Sequence, residues 1–106
     1  MNSINKVILR GEIANPRFIN TPLSLAMRVV LTTESVWKNL KGEWVAEVQH
    51  HNVVAFSTEV DINLETLQKG QIIEVEGILK YVKYTTAEGY EKVIAEIRAE
   101  KIKHIE

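Results

Sequence analysis

The chain has 106 residues, 45% of them apolar and 25% charged, with 13 basic against 14 acidic side chains for a net charge of −1. This length suits one domain with one core, expected over 1–106, and the near-neutral charge gives no bulk attraction to a polyanion, so any basic surface has to be local. The absence of cysteine excludes disulfides, thiolate metal sites and a thiol nucleophile, while the lack of an apolar leader or long apolar run points to a soluble, cytoplasmic protein with no membrane partner.

Residues 5–13, NKVILRGEI, are rich in β-branched side chains and run into Asn15-Pro16. A strand is expected to end there in a turn, with Gly11 marking a bulge or sharp bend. Along 25–35, Met27, Val29 and Leu31 alternate with Arg28 and Thr32, the pattern of a half-buried strand. The polar, Gly-containing stretch 38–43 joins it to 44–56, so the two form a hairpin. From 57 to 70 the period changes: Ser57 or Thr58 can cap a helix whose apolar face is Val60, Leu64 and Leu67, and Gly70 stops it.

Alternation returns over 71–84, where Ile73, Val75, Gly77, Leu79 and Tyr81 oppose Glu74, Glu76 and Lys80. After a turn-rich tip at 85–91, residues 92–105 suit a helix by composition and a strand by the alternation of Val93, Ala95, Ile97 and Ala99 with charged neighbours. A strand is expected, because its hairpin partner would otherwise stay unpaired. Three strands, one helix and two strands is the order of the all-β, five-stranded Greek-key OB-fold barrel, with its helix between strands three and four.

Aromatic residues Trp37, Trp44, Phe56, Tyr81, Tyr84 and Tyr90 fall in these strands or at hairpin tips, accompanied by Lys38, Lys41, Lys80, Lys83 and Lys92. Flat rings that stack bases, with cations beside them to follow phosphates, are what a single-stranded nucleic acid requires. Tyr81, in register with Val75 and Leu79, is expected to pack instead, whereas Trp37, at a strand end beside Lys38, suits a binding role. No catalytic residues are assigned: Ser57, Thr85 and Thr86 lack an evident base partner, there is no phosphate-binding glycine loop, and Glu74 and Glu76 read as solvated surface. The adjacent His50 and His51 do not form a metal site or a catalytic pair, because successive strand residues point to opposite faces. His50 sides with Asn52, Val54 and Phe56; His51 sides with Val53 and Ala55. No cofactor or metal is expected.

Four blocks, NKVILRG at 5–11, LTTESVW at 31–37, HHNVVAF at 50–56 and LQKGQIIEVEGILK at 67–80, together resemble the bacterial single-stranded-DNA-binding protein family in content, order and spacing. The resemblance implies an OB-fold protomer that assembles as a homotetramer and coats single-stranded DNA with little sequence preference during replication, recombination and repair. It implies nucleic-acid stacking by Trp37, Phe56 and Tyr84, with His50 standing where many members carry a stacking Trp and Asn52 where a basic residue is common. Arg10, Arg28, Lys80 and Lys83 are the implied backbone contacts, and His51 the implied subunit-interface histidine. Family members usually continue into a flexible tail with an acidic tip that recruits replication and repair proteins, whereas this sequence stops at KIKHIE, the expectation for a tail-less or truncated form. Two other readings stand beside this one: a short dimeric primosomal replication protein of OB type, and an OB module whose aromatic residues pack on a protein partner.

Overall fold

In a computed structural model, described here for residues 1–105, five strands account for most of the chain. β1 is Val7–Asn20, β2 Leu25–Lys38, β3 Trp44–Phe56, β4 Ile72–Thr85 and β5 Glu91–His104. They close into a barrel in the order β1-β2-β3-β5-β4, antiparallel except for a short parallel contact between β3 and β5 at Val53↔Ile97 and Val54↔Arg98. This is the OB-type arrangement, and the strand expected over 92–105 is present as β5. No helix of the described residues is long and apolar enough to cross a membrane.

Strict alternation decides what fills the barrel. Met27, Val29 and Leu31 of β2, Val53 and Ala55 of β3, Ile73 and Val75 of β4, and Ile97 and Ala99 of β5 point inward and are buried together with Ile13 of β1. The N-terminal edge is extended by a side chain: Asn5 donates to the Leu79 carbonyl at 2.8 Å and accepts from the Leu79 N–H at 2.9 Å, so its amide stands in for one more rung of the ladder.

Two expectations about β1 change. The strand does not end at Asn15-Pro16 but continues to Asn20 through a register shift between Ala14 and Arg17, with Asn15 at φ 48. Pro16 has no N–H for the ladder, and a bulge absorbs that loss without ending the strand. Gly11, in turn, lies outside this register shift; a side chain there would run into the Thr32 carbonyl of β2. Its role is close approach of two backbones, and Gly77 plays the same part against the Arg98 carbonyl beside the register shift between Glu76 and Gly77.

The helix expected over 57–70 is absent. The segment is an irregular crossing that contains one 3-10 turn, Leu64–Thr66, capped by Asn63, whose side chain accepts from the Glu65 N–H at 3.1 Å. Ser57 does not cap a helix because it serves the β2–β3 ladder: its N–H donates to the Leu25 carbonyl at 2.8 Å and its hydroxyl accepts from the Leu25 N–H at 2.9 Å. Asn63 takes a local backbone N–H with its side chain, and β-branched Val60 and Ile62 are weak helix formers, so nothing local holds the helix. The apolar positions were nonetheless identified correctly, since Val60, Leu64 and Leu67 are all buried in the barrel core.

Candidate nucleic-acid interface

The β2–β3 ladder runs without a register shift from Ala26↔Phe56 to Lys38↔Trp44. Residues directly opposite one another share a face, so even-numbered residues of both strands face one way along the whole hairpin and odd-numbered ones the other. Since Met27, Val29 and Leu31 are core, the even face is the outside of the barrel. It carries Arg28, Val30, Thr32, Glu34, Val36 and Lys38 on β2 and Trp44, Ala46, Val48, His50, Asn52, Val54 and Phe56 on β3.

The parallel contact Val54↔Arg98 carries this face onto β5, and the β4–β5 ladder carries it further through Ile78↔Arg98, Lys80↔Glu96, Val82↔Ile94 and Tyr84↔Lys92. Side chains confirm the continuity. The Arg98 guanidinium lies 4.8 Å from the centre of the Phe56 ring, and Arg28 pairs with Glu96 at 3.2 Å across β2, β3 and β5. A hollow of about 210 Å3 on this surface is lined by Arg17, Arg28, Val30, Asn52, Val54 and Ile94 among others. The outcome is one continuous surface with rings at Phe56, Tyr84 and Trp44 and an imidazole at His50.

Its electrostatics are mixed. Glu96, 8% exposed, is neutralised by Arg28, and Arg98 is held by both carboxylate oxygens of Glu59, at 3.0 and 2.6 Å. That bidentate pairing keeps the Arg98 proton more firmly bound than in a free guanidinium. Lys80 and Lys92 form no ion pair among the described residues, and the Lys38 ammonium sits 5.4 Å from the centre of the Trp44 ring. Arg17, opposite Arg28 on β1, is exposed and also forms no ion pair among the described residues, so the free positive charge of the face is lysine together with Arg17.

Of the residues singled out in the sequence, His50, Phe56, Tyr84, Lys80 and Arg28 come together on this surface. Three others do not. Trp37 pairs with Val45 on the odd face, beside Ser35 and Thr33, and so looks away from His50 and Phe56. Lys83 pairs with Val93 on the reverse of the β4–β5 hairpin. Arg10 lies across β1 and β4, where it donates to Glu74 at 2.9 Å; Lys103 approaches the same carboxylate at 3.2 Å. The Arg10 guanidinium, with Lys103 beside it, holds the Glu74 carboxyl below the usual glutamate range. Arg10 thus belongs to a paired-charge cluster outside the ring-bearing face.

Tyr81 is in register with core residues as expected but does not pack: it is 70% exposed, because the hairpin has left the barrel by that point. The two histidines separate as alternation requires. His50 Nδ1 lies 3.2 Å from the Thr32 hydroxyl and His51 Nε2 lies 2.8 Å from the Thr33 hydroxyl. Among the described residues no group of three or more His, Asp or Glu side chains is arranged to hold a metal ion. Trp44, 71% exposed, is also on the ring-bearing face; it stood among the aromatic residues of the sequence without an assigned contact, although counting back by twos from Phe56 and His50 along an uninterrupted strand reaches it.

Comparison with known proteins identifies the family and the fold. The sequence profile of the single-strand binding protein family matches residues 4–105. A protein named single-stranded DNA-binding protein from Xanthomonas campestris pv. campestris is 40% identical over 101 residues, which cover 93% of this chain and 59% of that protein. Its counterpart from Xylella fastidiosa is 34% identical, with coverage of 93% and 62%. The chain thus spans about three-fifths of the length of these curated relatives. Among solved structures, the Plasmodium falciparum SSB in complex with ssDNA shares the fold at a TM-score of 0.84 and 20% identity, covering 100% of this chain and 98% of that one. A deletion mutant of the single-stranded DNA binding protein from Thermus aquaticus aligns at a TM-score of 0.79 and 27% identity over 97% of this chain and 51% of that one. With the profile matched from the first strand to the last, this chain belongs to the single-strand binding protein family.

Proposed function

We propose that the chain is a single nucleic-acid-binding domain that coats single-stranded DNA with little sequence preference, without catalysis, in replication, recombination and repair. The observation that carries this reading is one sheet surface bearing His50, Phe56 and Tyr84 beside unpaired Lys80 and Lys92. Rings stack on any base and cations follow the backbone, so binding on such a surface is sequence-tolerant. Arg28 contributes only after sharing its charge with Glu96, and Arg10, Lys83 and Trp37 fall outside the contact surface. His51, half-buried on the odd face, is assigned to an interface between copies in a homotetramer, or in a dimer under the primosomal-type alternative. Action at exposed single strands in the cytoplasm, together with replication and repair proteins, follows from the same reading.

Titration with oligo-dT, followed by the polarisation of a labelled strand, tests it. Binding is expected at low salt and to weaken as salt rises. With Lys38, Lys80, Lys92 and Arg17 meeting phosphates, the slope of log K against log salt is expected to be about −3, from about 0.7 per phosphate on a single strand. No binding at low salt and micromolar protein would overturn the reading and favour a protein-binding module.

A further inference from the structure

We propose that Trp44, at the tip of the β2–β3 hairpin, is a principal base-stacking residue of this chain, so that the bound strand runs out along the hairpin as well as over the barrel. This rests on the single-strand reading above and adds a site to it. Trp44 and His50 are six positions apart, which at strand rise is about 20 Å along β3.

Three observations lead there. First, the unshifted ladder keeps Trp44 on the same side as His50 and Phe56 while turning Trp37 to the other side. Second, apart from Glu34, the even face between tip and barrel is apolar where a solvated hairpin would be polar. Val36 and Val48 are 56% and 51% exposed, Ala46 lies opposite Val36, and Trp44 itself is 71% exposed. This strip is continuous with the ring-bearing surface of the barrel. Third, the other rings of the face are less available: Phe56 is only partly exposed and lies beneath Arg98, and Tyr84, out on the β4–β5 hairpin, is 43% exposed. Trp44 is the most exposed ring of the face, and the Lys38 ammonium lies over it at 5.4 Å from its centre, on a flexible side chain with no carboxylate partner among the described residues, so that a base can displace it from the ring and the cation stays beside the bound strand.

A nucleic-acid occupant fits this pattern of ring, cation and apolar floor better than a second protein copy, for which the lone lysine over the indole would have to be buried. Glu34 is the one acidic residue on the strip among its described residues, and it stands between Val36 and Thr32 rather than at the tip.

Two single-tryptophan variants separate the faces. In Trp37→Phe only Trp44 emits, and in Trp44→Phe only Trp37 does. Saturating oligo-dT is expected to quench Trp44 emission strongly and leave Trp37 emission nearly unchanged. Trp44→Ala is expected to weaken binding of labelled oligo-dT by roughly 5- to 100-fold, the range of one lost stacking contact. The tip is exposed, so both Trp44 variants should melt like the parent, which circular dichroism checks. The proposal is overturned if Trp37 carries the quenching, if Trp44→Ala binds within about twofold of the parent, or if Trp44→Ala changes the assembly mass while binding is kept. A parent protein that binds no labelled oligo-dT at all would overturn the single-strand reading first, and with it this site.

Discussion

Thr32 and Thr33 each take one of the two adjacent histidines, at 3.2 Å for His50 and 2.8 Å for His51, so the pair is divided between the two surfaces of β3. His50 is exposed on the ring-bearing face and His51 is half-buried behind it. His50→Ala is therefore expected to weaken oligo-dT binding several-fold while leaving the assembly mass unchanged. His51→Ala should lower the mass measured by light scattering at equal concentration while sparing intrinsic affinity. Equal loss of both properties in both variants would contradict the division. This separation was legible in the sequence, because it needs only the two-residue period of a strand. The side taken by Trp37 was equally legible: counting by twos from Met27, Val29 and Leu31 reaches Trp37 on the core-facing set. Its strand-end position beside Lys38 and the motif resemblance both suggested a binding role instead, whereas the unbroken register of the hairpin puts it on the face opposite His50 and Phe56. Ion pairing was not legible. That Glu74 occupies Arg10, Glu96 occupies Arg28 and Glu59 occupies Arg98 depends on strands far apart in sequence meeting in the barrel.

The crossing between β3 and β4 shows what periodicity does and does not determine. The spacing of Val60, Leu64 and Leu67 fits one helix face, yet the same spacing lets three loop side chains drop into one core when the backbone turns at Asn63. Burial followed from side-chain chemistry; backbone form followed from local hydrogen bonding, where Ser57 and Asn63 had other partners than a helix. Leu64→Ala should then cost as much as a core truncation within the strands, about 2–5 kcal/mol, even though Leu64 sits in an irregular segment. Chemical denaturation would measure it; a loss under about 1 kcal/mol, as for an exposed loop leucine, would mean that the crossing does not help to close the barrel. The strands themselves were legible because alternation and core membership coincide over most of their length. Their ends were not: β2 runs three residues past the expected 35, to Lys38, because the hairpin ladder continues beyond the core that gave the pattern its contrast.

Those overrunning hairpins shape the whole molecule. The radius of gyration is 16.0 Å, against about 13 Å for a compact domain of this size, because both long hairpins project from a small barrel. The β3–β5 contact is only two pairs long, so beyond it the two hairpins go separate ways and leave a small cleft of about 140 Å3 lined by His50, His51, Asn52, Leu79 and Ala95. One continuous outer surface spans both hairpins and the barrel between them, and the central claim is that a single strand of DNA lies along it. Ultraviolet cross-linking of the protein to oligo-dT, with the attachment sites read by mass spectrometry, tests that claim residue by residue. Attachment is expected at Phe56, Tyr84, Trp44 and His50; attachment concentrated instead at Trp37 and Tyr81 would put the strand on the opposite surface and contradict the account.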